Sequence, residues 1–385
     1  MKEIIIKFFL DYEFVFVFLL CSIIFLLISI FIRQKTIRRI SILLFSVFLV
    51  LFLFELVLSF FMEKCTFIPK DESLFNIPKE QNISSKREVF LLNETNNLSK
   101  RIISDNKDEI DRVKKEYLSK GYKVFYDNKL SLYSNGLRYT KANANGEKKY
   151  VFLGGSFTFG SCLDDKETLP YYFSELNHFD ANILNLSCVA RGSNYTLNML
   201  NSETIYAFID ENKEITRFIY SLIDDHIYRN FRMIISSVGG FDPWIKKDNK
   251  WVFMADHPYK KIKEIFIRSF LFRKIFLNLI DSINIQYYKN YLLSSLQEIN
   301  KIIEKKYKSK LTIIVWPEFI DNKFMENLQN LNIDLILLPE YFNSEELGYR
   351  LKDHHPTAKA NKEIAEILYN HISKTHNLAK GNKEN

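Results

Sequence analysis

The amino-acid sequence predicts an α/β fold, in which helices cover both faces of a five-stranded parallel sheet as a three-layer α/β/α sandwich. Five short, nearly continuous apolar runs predict strands that are buried on both faces; they span residues 149–153, 181–186, 217–223, 311–315 and 333–338. Helical patterns separate these runs, for example from Tyr287 to Tyr307. Because strands that alternate with helices form parallel sheets, we expect an active site outside the carboxyl ends of the strands.

Two long apolar runs precede this domain. Residues 14–32 carry no charged side chain, and residues 40–61 carry one, Glu55. Each run is long enough to cross about 30 Å of hydrocarbon as a helix. The link between them is basic, which indicates the cytoplasmic side; it contains Arg33, Lys35, Arg38 and Arg39. The sequence therefore predicts a two-pass anchor in the lipid bilayer, with everything after Phe61 in the periplasm or outside the cell.

The predicted organisation has four parts: a transmembrane helical hairpin (1–63), a polar stalk and lead-in segment (64–148), the α/β domain (149–375) and a disordered tail (376–385). The stalk is rich in Asn, Lys and Ser, and only the stretch from Lys107 to Tyr117 has a helical pattern. An aromatic and basic segment at about 231–285 interrupts the domain. It is equally consistent with a substrate-facing wall and with a packed cap or membrane-facing surface.

Composition argues against several functional classes. The net charge of +7 comes from scattered Lys rather than a dense basic stripe, so we expect no nucleic-acid partner. None of the four cysteines forms a C-x-x-C pair, and no metal or other cofactor is expected. Cys162 and Cys188 each follow a predicted strand. They could form a disulfide outside the cytoplasm, although two separate buried thiols are the simpler interpretation.

The strongest chemical motif lies at the end of the first strand, where residues 154–160 read GGSFTFG. Glycines before a serine permit a tight turn and close approach of a substrate. Ser156 would then open the next helix, with its hydroxyl at the sheet edge and its N–H available to an oxyanion. The motif is not the G-x-S-x-G nucleophile elbow, because Thr158 replaces the second glycine.

A second motif, DHHPT at residues 353–357, follows the last strand and precedes an amphipathic helix over about 357–372. A serine nucleophile needs a base, and the base needs an orienting carboxylate. A histidine in this loop would lie at the same edge of the sheet as Ser156. Asp353 is close enough in sequence to hold the imidazole. These residues predict nucleophilic catalysis.

Both motifs resemble those of the SGNH, or GDSL-like, hydrolase family. The nucleophile block of that family reads close to G-x-S-x-x-x-G, then an acidic turn and Thr-Leu-Pro, which 164–165 and 168–170 match here. Its catalytic Asp and His match Asp353 and His355, as in the branch that writes D-x-H, and Pro356 favours His355 over His354. The resemblance covers about residues 149–371. It implies an SGNH, flavodoxin-like sandwich with Ser156, His355 and Asp353 as the catalytic triad.

The resemblance also implies an oxyanion site. The second block of the family supplies a backbone N–H from a glycine after the second strand, which is Gly192 here, beside the N–H of Ser156. The third block usually carries an Asn, but here the third strand ends in LIDDH at residues 222–226 and no Asn stands at the expected place. An ionised Asp cannot donate a hydrogen bond, so Asn194 or His226 is the expected side-chain donor, and a structural role for Asp225 is the alternative.

The function that the resemblance implies is hydrolysis of O-acyl esters, such as those of cell-envelope glycans or lipids. An O-acyltransferase with the same triad and a non-catalytic envelope-assembly protein with this fold are the alternatives. Carboxylates and imidazoles can also ligate zinc. Without a recurring ligand spacing, a metal site is the weakest alternative; its candidate ligands are Asp224, Asp225, His226, Asp256, His257, Asp353 and His354.

Overall fold

The computed structural model describes eleven stretches of the chain: residues 13–31, 34–61, 83–93, 98–133, 137–189, 191–201, 214–229, 244–247, 250–253, 277–318 and 321–381. The chain divides into two compact units, one of Met1–Lys70 with Phe231–Tyr287 and one of Asp71–Asn230 with Tyr288–Asn385. The predicted site residues all belong to the second unit.

The two N-terminal apolar runs form helices. Helix α1 spans Glu13–Phe31 and helix α2 spans Lys35–Phe61, and the rings of Phe25 and Phe48 stack between them with centroids 5.4 Å apart. Over the described residues, no helix meets the length and apolar character that crossing a bilayer requires. The two-pass anchor therefore stays a prediction.

The lead-in segment contains a small antiparallel sheet in addition to the predicted helix. Its elements are β1 (Ile83–Asn93), β2 (Leu98–Ser104), α3 (Lys107–Ser119) and β3 (Lys123–Tyr133), with β1 between the other two strands. Asn106 caps the helix by accepting the N–H groups of residues 108 and 109. A core of its own holds the sheet and helix together, formed by Val89, Leu91, Ile110 and Tyr122. Sequence analysis had predicted the helix but none of the strands.

The α/β domain begins at Lys149, and the elements from there on follow in chain order: β4 (Lys149–Gly154), α4 (Ser156–Phe159), α5 (Leu169–Leu176), β5 (Asn182–Asn185), α6 (Ser193–Asn201), β6 (Arg217–Leu222), α7 (Asp225–Arg229), β7 (Trp244–Lys247), β8 (Lys250–Phe253), α8 (Leu277–Tyr307), β9 (Leu311–Val315), α9 (Asn322–Gln329), β10 (Asp334–Leu337) and α10 (Ala358–Gly381). Strands β7 and β8 pair with each other and belong to the first unit. The last helix reaches Gly381, so residues 376–381 are helical, where sequence analysis placed the start of a disordered tail. Residues 382–385 lie outside the described residues.

The predicted five-stranded parallel sheet is confirmed. Its strands lie in the order β10–β9–β6–β4–β5, and every neighbouring pair is parallel. All residues of β4, β6 and β9 are buried, which explains their continuous apolar sequence. The chain leaves β4 toward β5 on one side and later returns to β6 on the other. Ligands of open α/β sheets typically bind at such a reversal, which here lies at the carboxyl ends of β4 and β6.

Helices pack on both faces of the sheet because alternate strand residues point to opposite sides. On one face, Phe173 of α5 meets Phe152 of β4 with ring centroids 5.5 Å apart, within a core that also includes Leu368 of α10. On the other face, Phe218 of β6 meets Tyr307 of α8 at 5.3 Å. These contacts give the predicted three layers. Burial of each such ring contributes about 2–3 kcal/mol to the free energy of unfolding.

Candidate active site

Ser156 begins the one-turn helix α4 directly after β4. Glycines flank this turn with backbone φ angles of +132° at Gly154 and +82° at Gly160. Residues with a Cβ atom rarely adopt such φ angles, so the turn depends on glycine at both positions. The N–H of Gly160 closes the helix on the carbonyl of Ser156 at 3.0 Å. Ser156 is buried and lies at the carboxyl end of β4, where the sequence placed it.

Asp353 and His355 form a hydrogen-bonded pair in the loop before α10. Nδ1 of His355 lies 3.0 Å from Oδ2 of Asp353, and the backbone N–H of His355 donates to Oδ1 at 3.2 Å. Burial alone would raise the pKa of Asp353, but the hydrogen bond and charge of His355 outweigh it, with help from the Cys162 thiol, and lower this pKa to about 2. The carboxylate is therefore ionised at neutral pH and holds the imidazole by Nδ1.

The structure separates the two neighbouring histidines. The side chain of His354 is 82% exposed, whereas that of His355 is 20% exposed. His354 has a φ of +65° and turns toward Glu345, 3.7 Å away. Only His355 pairs with Asp353 among these two, in agreement with the choice that Pro356 favoured.

Two contacts join the neighbourhood of Ser156 to that of His355. The ring of Phe157, the residue after Ser156, lies 5.5 Å from the His355 ring between centroids. In the loop that follows α4, Sγ of Cys162 lies 3.1 Å from Oδ2 of Asp353. The nucleophile motif and the Asp–His motif therefore meet at one edge of the sheet, although 191 positions separate Cys162 from Asp353.

The small sheet of the lead-in segment holds the loop that carries Cys162. Glu88 of β1 accepts the backbone N–H of Cys162 at 3.2 Å. Two backbone N–H groups of β3 donate to Asp164 and Asp165, at 2.7 and 2.9 Å. The fully buried Arg138 donates to the carbonyls of Gly160 and Leu163, at 3.1 and 2.8 Å. The lead-in segment thus supports the candidate site directly, a role that its composition did not indicate.

Arg350 links the histidine loop to the nucleophile helix. Its guanidinium lies over the rings of Phe157 and Trp316, at 4.7 and 4.3 Å from their centroids. It also donates to the carbonyls of Phe342 and His354, at 3.0 and 2.6 Å. Because the carbonyl of His354 directly precedes His355, this clamp fixes the backbone from which the imidazole projects.

Arg350 also forms an ion pair with Glu318, which follows β9. Burial, opposed by the charge of Arg350 and reinforced by the neighbouring Asp224, raises the pKa of Glu318 to about 7. The carboxyl group of Asp224 is therefore engaged with Glu318 and Arg350 at the ends of β6 and β9.

The loop after β5 passes close to the nucleophile turn. The N–H of Cys188 donates to the carbonyl of Gly154 at 3.1 Å, and the buried Gly192 follows four residues later. The side-chain oxygen of Asn194 accepts the hydroxyl of Tyr291 of helix α8 at 2.7 Å. The oxyanion roles of Gly192 and Asn194 stay predictions. Cys162 and Cys188 are both free thiols.

His226 is fully buried beside the nucleophile turn. Its Nδ1 lies 3.1 Å from the hydroxyl of Tyr220, and burial, followed by the charge of Arg229, lowers the pKa of His226 well below its usual value. A Cβ atom built on Gly155 would lie 3.0 Å from Nε2 of His226 and 2.8 Å from Nη1 of Arg229. Sequence analysis missed Arg229, for which the only signal was its spacing of four residues from Asp225.

The alternative metal set from the sequence is not assembled among the described residues. The carboxylate of Asp225 pairs with Arg229 at 2.6 Å, and His354 is exposed. Asp256 and His257 lie outside the described residues.

A different group of ligand atoms is compact. Over the part of the chain that the structure describes, Cys162, Asp353 and His355 offer ligand atoms within 4.8 Å of one another. The hydrogen bonds at 3.0 and 3.1 Å account for this proximity. The group therefore has the geometry of a positioned acid–base pair.

No protein-family model and no curated protein matches the chain. Similar solved structures include the psychrotrophic esterase EstA from Pseudoalteromonas sp., with 13% identity, a TM-score of 0.36 and coverage of 60% of this chain and 98% of that one. The protein TesA follows with 12% identity, a TM-score of 0.35 and coverage of 58% and 97%. A G-D-S-L family protein from Desulfitobacterium hafniense has 12% identity, a TM-score of 0.34 and coverage of 58% and 98%. TM-scores of 0.36 or less assign neither family nor activity.

Proposed function

We propose that this chain is a serine-dependent ester hydrolase of the SGNH type, with Ser156, His355 and Asp353 as its triad. The observation that carries the proposal is the 3.0 Å hydrogen bond between His355 and Asp353. This pair adjoins the loop and the helix that present Ser156, through Cys162 and Phe157. A buried serine, an imidazole base and an ionised orienting acid are the parts that acyl transfer to an enzyme requires.

In the proposed mechanism, His355 takes the hydroxyl proton of Ser156 on Nε2 while Asp353 holds Nδ1–H. Oγ of Ser156 attacks the ester carbonyl, and the carbonyl oxygen becomes an oxyanion near the N–H groups of Ser156 and Gly192. The imidazolium then gives its proton to the departing alcohol, which leaves an acyl-enzyme. Water, deprotonated by His355, releases the acid. Each oxyanion donor of this kind typically contributes about 100-fold or more to the rate.

The acyl acceptor and the substrate class are further parts of the proposal. We expect O-acyl esters on envelope glycans or lipids, because the N-terminal apolar runs and their basic link favour a domain outside the cytoplasm. A hydroxyl acceptor in place of water would make the same triad an O-acyltransferase. Product analysis with and without added acceptor alcohol separates the two, since only a transferase forms the new ester in preference to free acid.

Hydrolysis of small chromogenic esters tests the reaction. Wild type, Ser156→Ala and the matched control Ser119→Ala would be compared; Ser119 is an exposed residue at the end of α3. We expect Ser156→Ala to lose at least about 1,000-fold in kcat, as triad members do, and Ser119→Ala to equal wild type. A fluorophosphonate should form a covalent adduct that peptide mapping assigns to Ser156. Equal activity of all three proteins, or an adduct elsewhere, would exclude this mechanism.

Location is tested separately from chemistry. A reporter enzyme that is active only after export would be fused after Lys70. Activity of this fusion is the expected result. A full-length fusion without reporter activity would contradict the proposed topology and leave the triad unaffected.

A further inference from the structure

Two side-chain nitrogens converge on the backbone directly before Ser156. A Cβ atom on Gly155 would lie 2.8 Å from Nη1 of Arg229 and 3.0 Å from Nε2 of His226. By standard peptide dimensions, this position is also about 3 Å from the amide nitrogen of Ser156. Glycine at residue 155 is thus required for the close approach of both nitrogens. Three nitrogens of the site surround one small volume beside the nucleophile.

One nitrogen of the Arg229 guanidinium is anchored, because its Nη2 donates to Asp225 at 2.6 Å. Its Nη1 is buried and has no hydrogen-bond partner among the described residues. A buried N–H group without an acceptor is costly, and such groups in native proteins call for an explanation. An acceptor atom from a bound ligand supplies one.

His226 presents a donor to the same volume. Nδ1 of His226 lies 3.1 Å from the hydroxyl of Tyr220, and in the tautomer in which that hydroxyl donates to Nδ1 the ring proton lies on Nε2. Burial keeps the ring neutral by lowering the pKa of His226. An N–H of a neutral imidazole and an N–H of a guanidinium therefore face the turn that carries Ser156. Convergent donors of this kind stabilise an oxygen that becomes negative.

We infer that Arg229 is the side-chain oxyanion donor of this site, with its Nη1 bound to the carbonyl oxygen that becomes negative when Ser156 attacks. The inference rests on the proposed hydrolase function. It also accounts for the absent Asn of the third block, since Asp224, two residues after β6, is engaged with Glu318 and Arg350. Arg229 follows five residues after Asp224. The proposed side-chain donor is therefore a guanidinium, where the third block of the resembling family supplies the amide of an Asn.

Replacing the carbonyl oxygen of the substrate by sulfur distinguishes this role from a structural one. Sulfur is a weaker hydrogen-bond acceptor, so an oxyanion donor favours the oxygen ester over the matching thiono ester. We would measure kcat and KM on both esters for wild type, Arg229→Gln, Arg229→Lys and Lys323→Gln. Lys323 is exposed on helix α9, so Lys323→Gln removes one positive charge at a surface position outside the site.

Arg229→Gln should lower kcat on the oxygen ester about 100-fold with little change in KM, as loss of one oxyanion donor does. The fall on the thiono ester should be smaller, so the oxygen-to-sulfur ratio should drop. Lys323→Gln should equal wild type. Arg229→Lys keeps the charge but cannot bind Asp225 and the oxyanion together, so its kcat should lie between those of wild type and Arg229→Gln. If Arg229→Gln does not fold, the oxygen-to-sulfur ratio of kcat for Arg229→Lys serves the same test.

Equal losses on both esters, or no loss, would overturn the inference while Ser156→Ala still abolished activity. Full activity of Ser156→Ala on the same esters would overturn the hydrolase mechanism instead, and the role of Arg229 with it.

Discussion

The thiol of Cys162 lies 3.1 Å from Oδ2 of Asp353, the same oxygen that faces Nδ1 of His355 at 3.0 Å. Cys162 has a φ of +71°, a left-handed conformation that costs a residue with a side chain about 1–2 kcal/mol. Glu88 holds this backbone through the N–H of Cys162. The strained residue thereby connects the nucleophile loop to the orienting acid.

The hydrogen bond from Cys162 should matter for catalysis. Cys162→Ala deletes the donor, whereas Cys162→Ser keeps a donor; both retain a Cβ atom and hence the same backbone strain. One hydrogen bond to a charged group corresponds to about 1.5 kcal/mol, so Cys162→Ala should lose about 10-fold in kcat. Cys162→Ser should stay closer to wild type. Equal kcat values for Ala and wild type in ester hydrolysis would show that the thiol only fills space.

Asp353 should make stability depend on pH in the acid range. Its pKa is lowered from 3.8 to about 2 in the folded chain, so folding favours the ionised form. This stabilisation is fully present above about pH 4 and is lost as the pH falls through about 2; it amounts to about 2 kcal/mol. Urea unfolding between pH 5 and 2.5 should show wild type and Asp353→Asn converging toward low pH. A constant gap across that range would contradict the assignment.

Arg350 should be required for stability as well as for position. Arg350→Ala would leave Glu318 without its ion-pair partner and the carbonyls of Phe342 and His354 without a donor. Loss of one member of such a buried pair typically costs about 3–5 kcal/mol. Arg350→Lys should cost nearly as much, because an ammonium group cannot reproduce the planar fork. Chemical denaturation gives the free energy of unfolding, and a change under about 1 kcal/mol would be contrary to this expectation.

Gly160, in the nucleophile turn, and Gly348, outside it, separate the cost of backbone strain from the cost of steric overlap when a Cβ atom is added. Both have left-handed φ angles, +82° and +75°. A Cβ atom at 348 meets nothing within 4 Å, whereas one at 160 would lie 2.4 Å from Cγ2 of Thr168. Gly348→Ala should therefore cost about 1–2 kcal/mol from the backbone alone, and Gly160→Ala a further 1–3 kcal/mol or so from overpacking. Equal melting temperatures for the two variants would refute this ranking.

The sheet could be predicted from the sequence because its signal is local. A strand that is buried on both faces must be apolar throughout, and β4, β6 and β9 are. The strands of the lead-in sheet escaped prediction for the opposite reason. β3 has only two buried residues, includes Lys123, Asp127, Asn128 and Lys129, and is stabilised by pairing with β1. That partner lies elsewhere in the chain, so no local pattern reveals it.

The residue types of the candidate triad were also evident from the sequence, since the chemistry of a serine nucleophile demands a histidine and an acid. The sequence could not supply distances between segments. Cys162 reaches Asp353 across 191 positions, and Arg229 approaches Gly155 from the end of a different strand. Both relationships follow from strand order, which brings separate chain ends to one edge of the sheet.

The sequence by itself determined the parallel sheet, the glycine-dependent turn before Ser156 and the pairing of Asp353 with a nearby histidine. Only the tertiary structure decided which histidine is paired, which donors face the nucleophile turn and what supports the loop after it. The physical reason is the sequence separation of the interacting residues. Burial patterns and turn geometry depend on neighbouring residues, whereas hydrogen bonds between loops depend on how distant segments pack.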